Sequence, residues 1–115
     1  MRIYVASAWA ERIRACQVMY QLRAAGHTIT YDWTQQEQET TAQALADYRG
    51  VVTADVLVFV AEKPYTSGGG AICEMGIALG AEIPVFLMGD GADRCIFTKH
   101  PNVYRGIHTL LKVIP

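Results

Sequence analysis

The run Thr66-Ser67-Gly68-Gly69-Gly70 leads directly into Ala71-Ile72-Cys73-Glu74-Met75-Gly76-Ile77-Ala78-Leu79-Gly80. Glycines open a loop, a helix starts, and one carboxylate, Glu74, stands in its first turns. Its neighbours Ile72, Cys73, Met75 and Ile77 are apolar, and packing alone gives no reason for an acid among them. The dipole at a helix N-terminus is expected to keep that carboxylate ionised. An ionised carboxylate beside a glycine-lined cavity has the chemistry of a nucleophile toward an electrophilic carbon. The plainer reading is a solvent-facing helical glutamate. The position after a glycine loop favours the functional one.

Other residues could share that chemistry. Asp47, in Leu45-Ala46-Asp47-Tyr48-Arg49, is a second carboxylate; it is otherwise an exposed helical acid of small energetic weight. Ser67, Gly68, Gly69 and Gly70 could bring backbone N–H groups to an anion at a helix start, or form a plain turn. They match neither a P-loop nor a dinucleotide fingerprint. Asp32 and Trp33 end a strand, where an indole could stack on a planar base or cover the core edge. Ser7 and Trp9 end the first strand; Ser7 could cap the next helix or bind a hydroxyl or phosphate. Met88 stands at a further strand end. Tyr4 reads as core, and Asp55 as a helix-to-strand turn residue. His27, His100 and His108 are isolated, with no metal-ligand spacing, and no cofactor is implied. The three cysteines, Cys16, Cys73 and Cys95, show none either.

Alternating short apolar runs and longer periodic ones must position these groups. Strands are expected over 2–6, 28–31, 55–60 and 83–87, with a short one at 95–97. Helices are expected over about 11–25, 39–53, 71–80 and 104–113. The second helix should turn Ala42, Leu45, Ala46, Arg49 and Val52 inward. Strict alternation predicts an α/β three-layer sandwich, a small flavodoxin-like parallel sheet in the order 2-1-3-4-5. Ligands of such folds bind at the carboxyl ends of the strands. Those ends, 6–9, 31–34, 61–70 and 88–90, hold the polar and glycine-rich residues.

Composition narrows the function classes. The 115 residues are 51% hydrophobic and 18% charged, as for one globular domain over 1–115 rather than a disordered chain. A net charge of −1 supplies no basic field for a nucleic-acid polymer. The chain begins on a strand pattern with no signal peptide, and no apolar run reaches the roughly 18 residues of a membrane span. A cytoplasmic, membrane-free protein with a small-molecule ligand is therefore expected.

The combination resembles the nucleoside 2-deoxyribosyltransferase-like family, which includes deoxynucleoside 5′-monophosphate N-glycosidases. The resemblance runs over about 2–87. It rests on the opening strand Ile3-Tyr4-Val5-Ala6-Ser7 and on Asp47 ahead of Ala54-Asp55-Val56. It rests most on Glu74-Met75-Gly76-Ile77-Ala78-Leu79-Gly80 before Pro84. It implies cleavage or transfer at an N-glycosidic bond. Glu74 would form a glycosyl ester at C1′, and Asp47 would help protonate the leaving base. The loop before Glu74 lacks the acid common in the transferases, and its Ser67 leans toward a 5′-monophosphate. The resemblance also implies a homodimer or higher homo-oligomer. The alternatives are a non-catalytic module binding a nucleotide or NAD-derived metabolite, and an NAD glycohydrolase.

Overall fold

A computed structural model of the chain describes residues 1–36, 40–65 and 68–112. Its elements, in chain order, are β1 (Arg2–Ser7), α1 (Arg12–Ala24), β2 (Thr28–Ile29), α2 (Thr41–Val52), β3 (Val56–Val60), α3 (Gly70–Gly80), β4 (Val85–Met88) and β5 (Val103–Arg105). Short 3-10 turns cover Trp9–Glu11, Trp33–Gln35 and Ile96–Lys99. The five strands form one parallel sheet in the order β2-β1-β3-β4-β5. This is the order expected from the alternation of strands and helices.

Alternate residues of a strand face opposite sides of a sheet, so one short apolar run feeds two cores. Tyr4 and Ala6 of β1, with Leu57 and Phe59 of β3, pack toward α2 and α3, against Val51, Ala71, Met75 and Ala78. Ile3, Val5, Val58 and Val60 pack the other way, against Ala15, Val18, Met19 and Leu22 of α1. Ile107 and Leu110 complete that second layer.

The carboxyl end of the chain departs from expectation. No strand forms at 95–97: Ile96 and Phe97 are exposed in a 3-10 turn. The fifth strand is Val103–Arg105, paired with Val85–Leu87, and it overlaps the start of the range expected to be helical. This three-residue edge strand is thinly covered on both faces, so Tyr104 and Arg105 stay exposed and give no apolar alternation to read. Gly106, at φ +82°, ends the strand, and turns rather than a helix follow.

The face of α2 is also rotated from the expected one. Gly50 and Val51 are buried, whereas Ala42, Leu45 and Arg49 are exposed. Gly50 lets the helix lie against the sheet. A Cβ there would come within 2.8 Å of Tyr4 Cδ2 and 3.0 Å of Tyr31 Cβ. Thr30 Oγ1 donates to the Gly50 carbonyl at 2.7 Å and fixes the same approach. Gly50→Ala therefore sets a helix-propensity gain of roughly 1 kcal/mol against about 1–3 kcal/mol of overpacking on a fully buried ring. A lower Tm is expected in a thermal melt. An unchanged or raised Tm would show that α2 does not depend on this contact.

Candidate functional site

The carboxyl ends of β1 and β3 and the facing ends of α2 and α3 enclose an open cleft of about 660 Å3. That is within the size range of small-molecule sites, roughly 300–1,000 Å3. Glu74 and Asp47 both line it, from α3 and α2 respectively.

Glu74 is tied to the sheet. The Tyr4 hydroxyl donates to Glu74 Oε2 at 2.5 Å. Tyr4 has no exposed surface, so its ring is held by the core while its hydroxyl meets Glu74 from behind the cleft wall. Burial, and then the negative charge of Glu74, holds the Tyr4 hydroxyl far above its ordinary titration range. It therefore remains a proton donor. Burial pushes Glu74 from 4.5 up to about 7. The Tyr4 hydrogen bond opposes that rise, and the charge of Asp47 adds to it. The expectation from the helix dipole alone is thus corrected. Glu74 lies beyond the strongest part of the N-terminal field, and loss of water outweighs the dipole.

Asp47 is likewise raised by burial. Its Oδ1 is fully buried and has no hydrogen-bond partner among the described residues. An unpartnered buried acceptor is costly, and such a group at a cleft fits a donor on a ligand.

The other candidates divide. Ser7, Trp9, Trp33, Gly68 and Gly70 line the cleft with the two carboxylates. Ser7 is buried, and its hydroxyl donates to the Ala8 carbonyl at 2.8 Å. Trp33 is fixed by its indole N–H, which donates to the Val5 carbonyl at 2.6 Å. It thereby replaces a sheet partner beyond the two-residue β2. Trp9 is 43% exposed, and its ring lies 6.3 Å from that of Trp33 at 45°. Gly69 caps α3 at φ +100°, a conformation that favours glycine. A Cβ on Gly68 or Gly70 would have no heavy atom of the described residues within 4 Å. Asp32 does not line the cleft; its Oδ1 accepts from the Thr34 N–H at 3.0 Å and from the Thr34 hydroxyl. Met88 packs with the α1-side core, away from the cleft. Ser67 lies outside the described residues.

Several lining residues carry no signal in the sequence. Gln36, Thr40, Gln43 and Tyr65 belong to the cleft wall. Thr40 and Gln43 form a capping box at the start of α2. Gln43 Nε2 also donates to Gln36 Oε1 at 2.9 Å. That Thr-x-x-Gln spacing is readable as a helix start, but nothing in it points to a ligand. Tyr65 packs edge-on to Phe59, and its hydroxyl accepts the Ala71 N–H at 3.3 Å. Glu11 is buried, and its Oε1 accepts from the backbone N–H groups of Glu62 and Lys63. It thereby anchors the loop after β3. Among the described residues, no cluster of three His, Cys, Asp or Glu side chains could hold a metal ion. Nor is any described helix long and apolar enough to cross a membrane.

No protein-family model matches this chain, and no curated protein does. Solved structures match its fold. A 2-deoxyribosyltransferase from the psychrotolerant bacterium Bacillus psychrosaccharolyticus is 16% identical, with a TM-score of 0.69 over 97% of this chain and 91% of that one. The CMP N-glycosidase of Clostridium botulinum is 18% identical, with a TM-score of 0.65 over 92% and 87%. A conserved protein of Enterococcus faecalis V583 is 19% identical, with a TM-score of 0.61 over 96% and 86%. The chain shares their fold. At these identities the likeness extends to the fold alone.

The Glu74 environment has a measurable consequence for stability. The folded protein binds the Glu74 proton more tightly than the unfolded chain does. Stability is therefore fully present below about pH 4.5 and falls as pH rises toward 7. Glu74→Gln removes this loss. At pH 8 the variant is expected to be more stable than wild type by on the order of 2 kcal/mol, and the difference should vanish by pH 4. Thermal melts at both pH values read it. An equal difference at the two values would contradict the burial of this carboxylate.

Proposed function

We propose that the chain is an enzyme acting at the N-glycosidic bond of a nucleoside or nucleoside 5′-monophosphate. One observation carries this reading. Two carboxylates converge in a ligand-sized cleft, one fixed by a buried tyrosine hydroxyl and the other left with a buried, unpartnered oxygen. The shared fold adds support, since two matching structures are named as a CMP N-glycosidase and a 2-deoxyribosyltransferase.

Glu74 Oε attacks C1′ of the sugar, and the C1′–N bond breaks with its electron pair passing to the base. Asp47 supplies a proton to that departing nitrogen. The transition state has oxocarbenium character, which the adjacent carboxylate stabilises electrostatically. Water or a second base then attacks C1′ from the face the first base left. The ionised Asp47 takes the proton that the attacking water or base N–H gives up, Glu74 departs as carboxylate, and two displacements give net retention. Hydrolysis and transfer differ only in this acceptor.

The two carboxylates titrate as a pair, and the productive form has Glu74 ionised and the proton on Asp47. The Tyr4 hydroxyl donates to the ionised form of Glu74 and so favours that arrangement. Trp33, held rigid by Val5, and the more exposed Trp9 offer aromatic faces for a base.

Incubation with nucleosides, nucleotides and NAD, reading free base or nicotinamide by chromatography, tests the reading. Glu74→Gln and Glu74→Ala should lower turnover by at least about a thousandfold. Because the productive form keeps one proton on the pair, the rate should fall about tenfold per pH unit on the alkaline side of about 7. Asp47→Asn should slow poor leaving groups more than good ones. Wild-type rates in a Glu74 variant would overturn the assignment. Binding without release of base would instead favour a nucleotide sensor.

A further inference from the structure

Glu11 is a charged side chain that the fold buries and the cleft does not use. It ends the 3-10 turn between β1 and α1, is 7% exposed and does not line the cleft. An acid is rarely buried unless its oxygens are taken up. Glu11 Oε1 accepts the N–H groups of Glu62 at 3.1 Å and Lys63 at 3.2 Å. The end of β4 and the loop after it close the rest of that segment. Ala61 N–H donates to the Met88 carbonyl, Tyr65 N–H to the Gly91 carbonyl, and Gly91 N–H to the Ala61 carbonyl. A Cβ on Gly91 would stand 1.8 Å from the Lys63 carbonyl oxygen, so the two loops touch backbone to backbone. Pro64 has no N–H. Every backbone donor from Ala61 to Tyr65 is therefore bonded, half of them by one oxygen of Glu11.

The segment so fixed ends on Tyr65, which lines the cleft. Gly69, the N-cap of α3, has no side chain to take up the first donors of the helix, and the Tyr65 hydroxyl accepts the Ala71 N–H in its stead. Ala71 and Glu74 are three residues apart and share the face of α3 that meets the cleft. We propose that Glu11 is a positioning residue for Glu74, acting through the 61–65 segment, Tyr65 and the first turn of α3; its effect on rate rests on the N-glycosidic reading above. Tyr4 fixes the Glu74 carboxylate from the sheet, and Glu11 with Tyr65 fixes the helix that carries it. Without Glu11, the Glu62 and Lys63 donors must turn to water and the segment moves with them. Displacing Glu74 by about 1 Å from its line to C1′ is costly in the transition state and nearly silent in ground-state binding. Arg14 holds the same segment by its 2.8 Å pair with Glu62, but that pair is exposed and of small weight.

Steady-state kinetics and amide hydrogen exchange by NMR test this. The kinetic probes are the common ribo- and 2′-deoxyribonucleosides and their 5′-monophosphates, with free base read. Glu11→Ala should lower kcat roughly ten- to a hundredfold and leave KM within about threefold. Glu11→Gln, which keeps a side-chain oxygen as acceptor, should recover most of the loss. Arg14→Ala should leave kcat unchanged. Tyr65→Phe should lower kcat to a similar extent, and joining it to Glu11→Ala should add little, because both cut one path. Exchange at the Ala71 amide should quicken in Glu11→Ala, with that of Val18 in α1 unchanged. Glu11→Met takes the place of Glu11→Ala if the latter fails to fold. An unchanged kcat in the Glu11 variant, a rise in KM alone, or additive losses in the double variant overturns the proposal. If the wild type releases base from no probe, the N-glycosidic reading fails and the Ala71 exchange decides: quickened exchange keeps the link from Glu11 to α3, and unchanged exchange overturns it.

Discussion

The hydrogen bond from Tyr4 to Glu74 is the constraint around which the site is arranged. A carboxylate that is to react in a partly dry cleft must give up most of its hydration, and that loss favours the protonated, inert form. Tyr4 returns one strong donor to the ionised form without admitting water. It can do so because its ring is fully buried on the face of β1 that meets α2 and α3. Gly50 makes room for that ring, so a position on α2 remote in sequence governs where the hydroxyl stands. The Glu74 carboxylate is therefore held by the hydrophobic core as much as by its own helix.

The rest of the mouth is secured by bonds that the chain makes to itself. Trp33 extends the β1 edge by bonding the Val5 carbonyl, Glu11 holds the turn at Glu62 and Lys63, and Tyr65 caps the first turn of α3. Thr40 and Gln43 close the start of α2, and Gln43 reaches Gln36 across the wall. Each of these ties a segment following one strand to a neighbouring element. The cleft thus has fixed walls around two groups whose polar capacity is incompletely used. Such local frustration in an otherwise satisfied fold is what a binding site requires.

Much of this architecture was legible because buried parallel strands and amphipathic helices have distinct periods. The runs at 55–60 and 83–87 read as strands, which the structure places at Val56–Val60 and Val85–Met88, and the α/β alternation led to the right strand order. Glu74 was legible because an acid in an apolar helix after glycines conflicts with packing. The last strand was not legible, since Val103–Arg105 is short and exposed on an edge, and the apolar residues after it mimic a helical stripe. The inner face of α2 was misjudged because a glycine, Gly50, makes its closest contact, and periodicity counts only apolar side chains. The ionisation of Glu74 was misjudged because the sequence displays the helix dipole but not the loss of water. Tyr4 read as core, which it is. Its contact with Glu74 spans seventy residues of chain and is visible only in three dimensions.

The account stands on the Glu74 carboxylate bonding to a sugar carbon. Rapid-quench mass spectrometry of the protein during turnover of a nucleoside tests this most directly. The account predicts a mass increase of one sugar residue, equal to the nucleoside minus its free base, on the peptide containing Glu74. Release of base at full rate with the sugar captured on a different residue would contradict it.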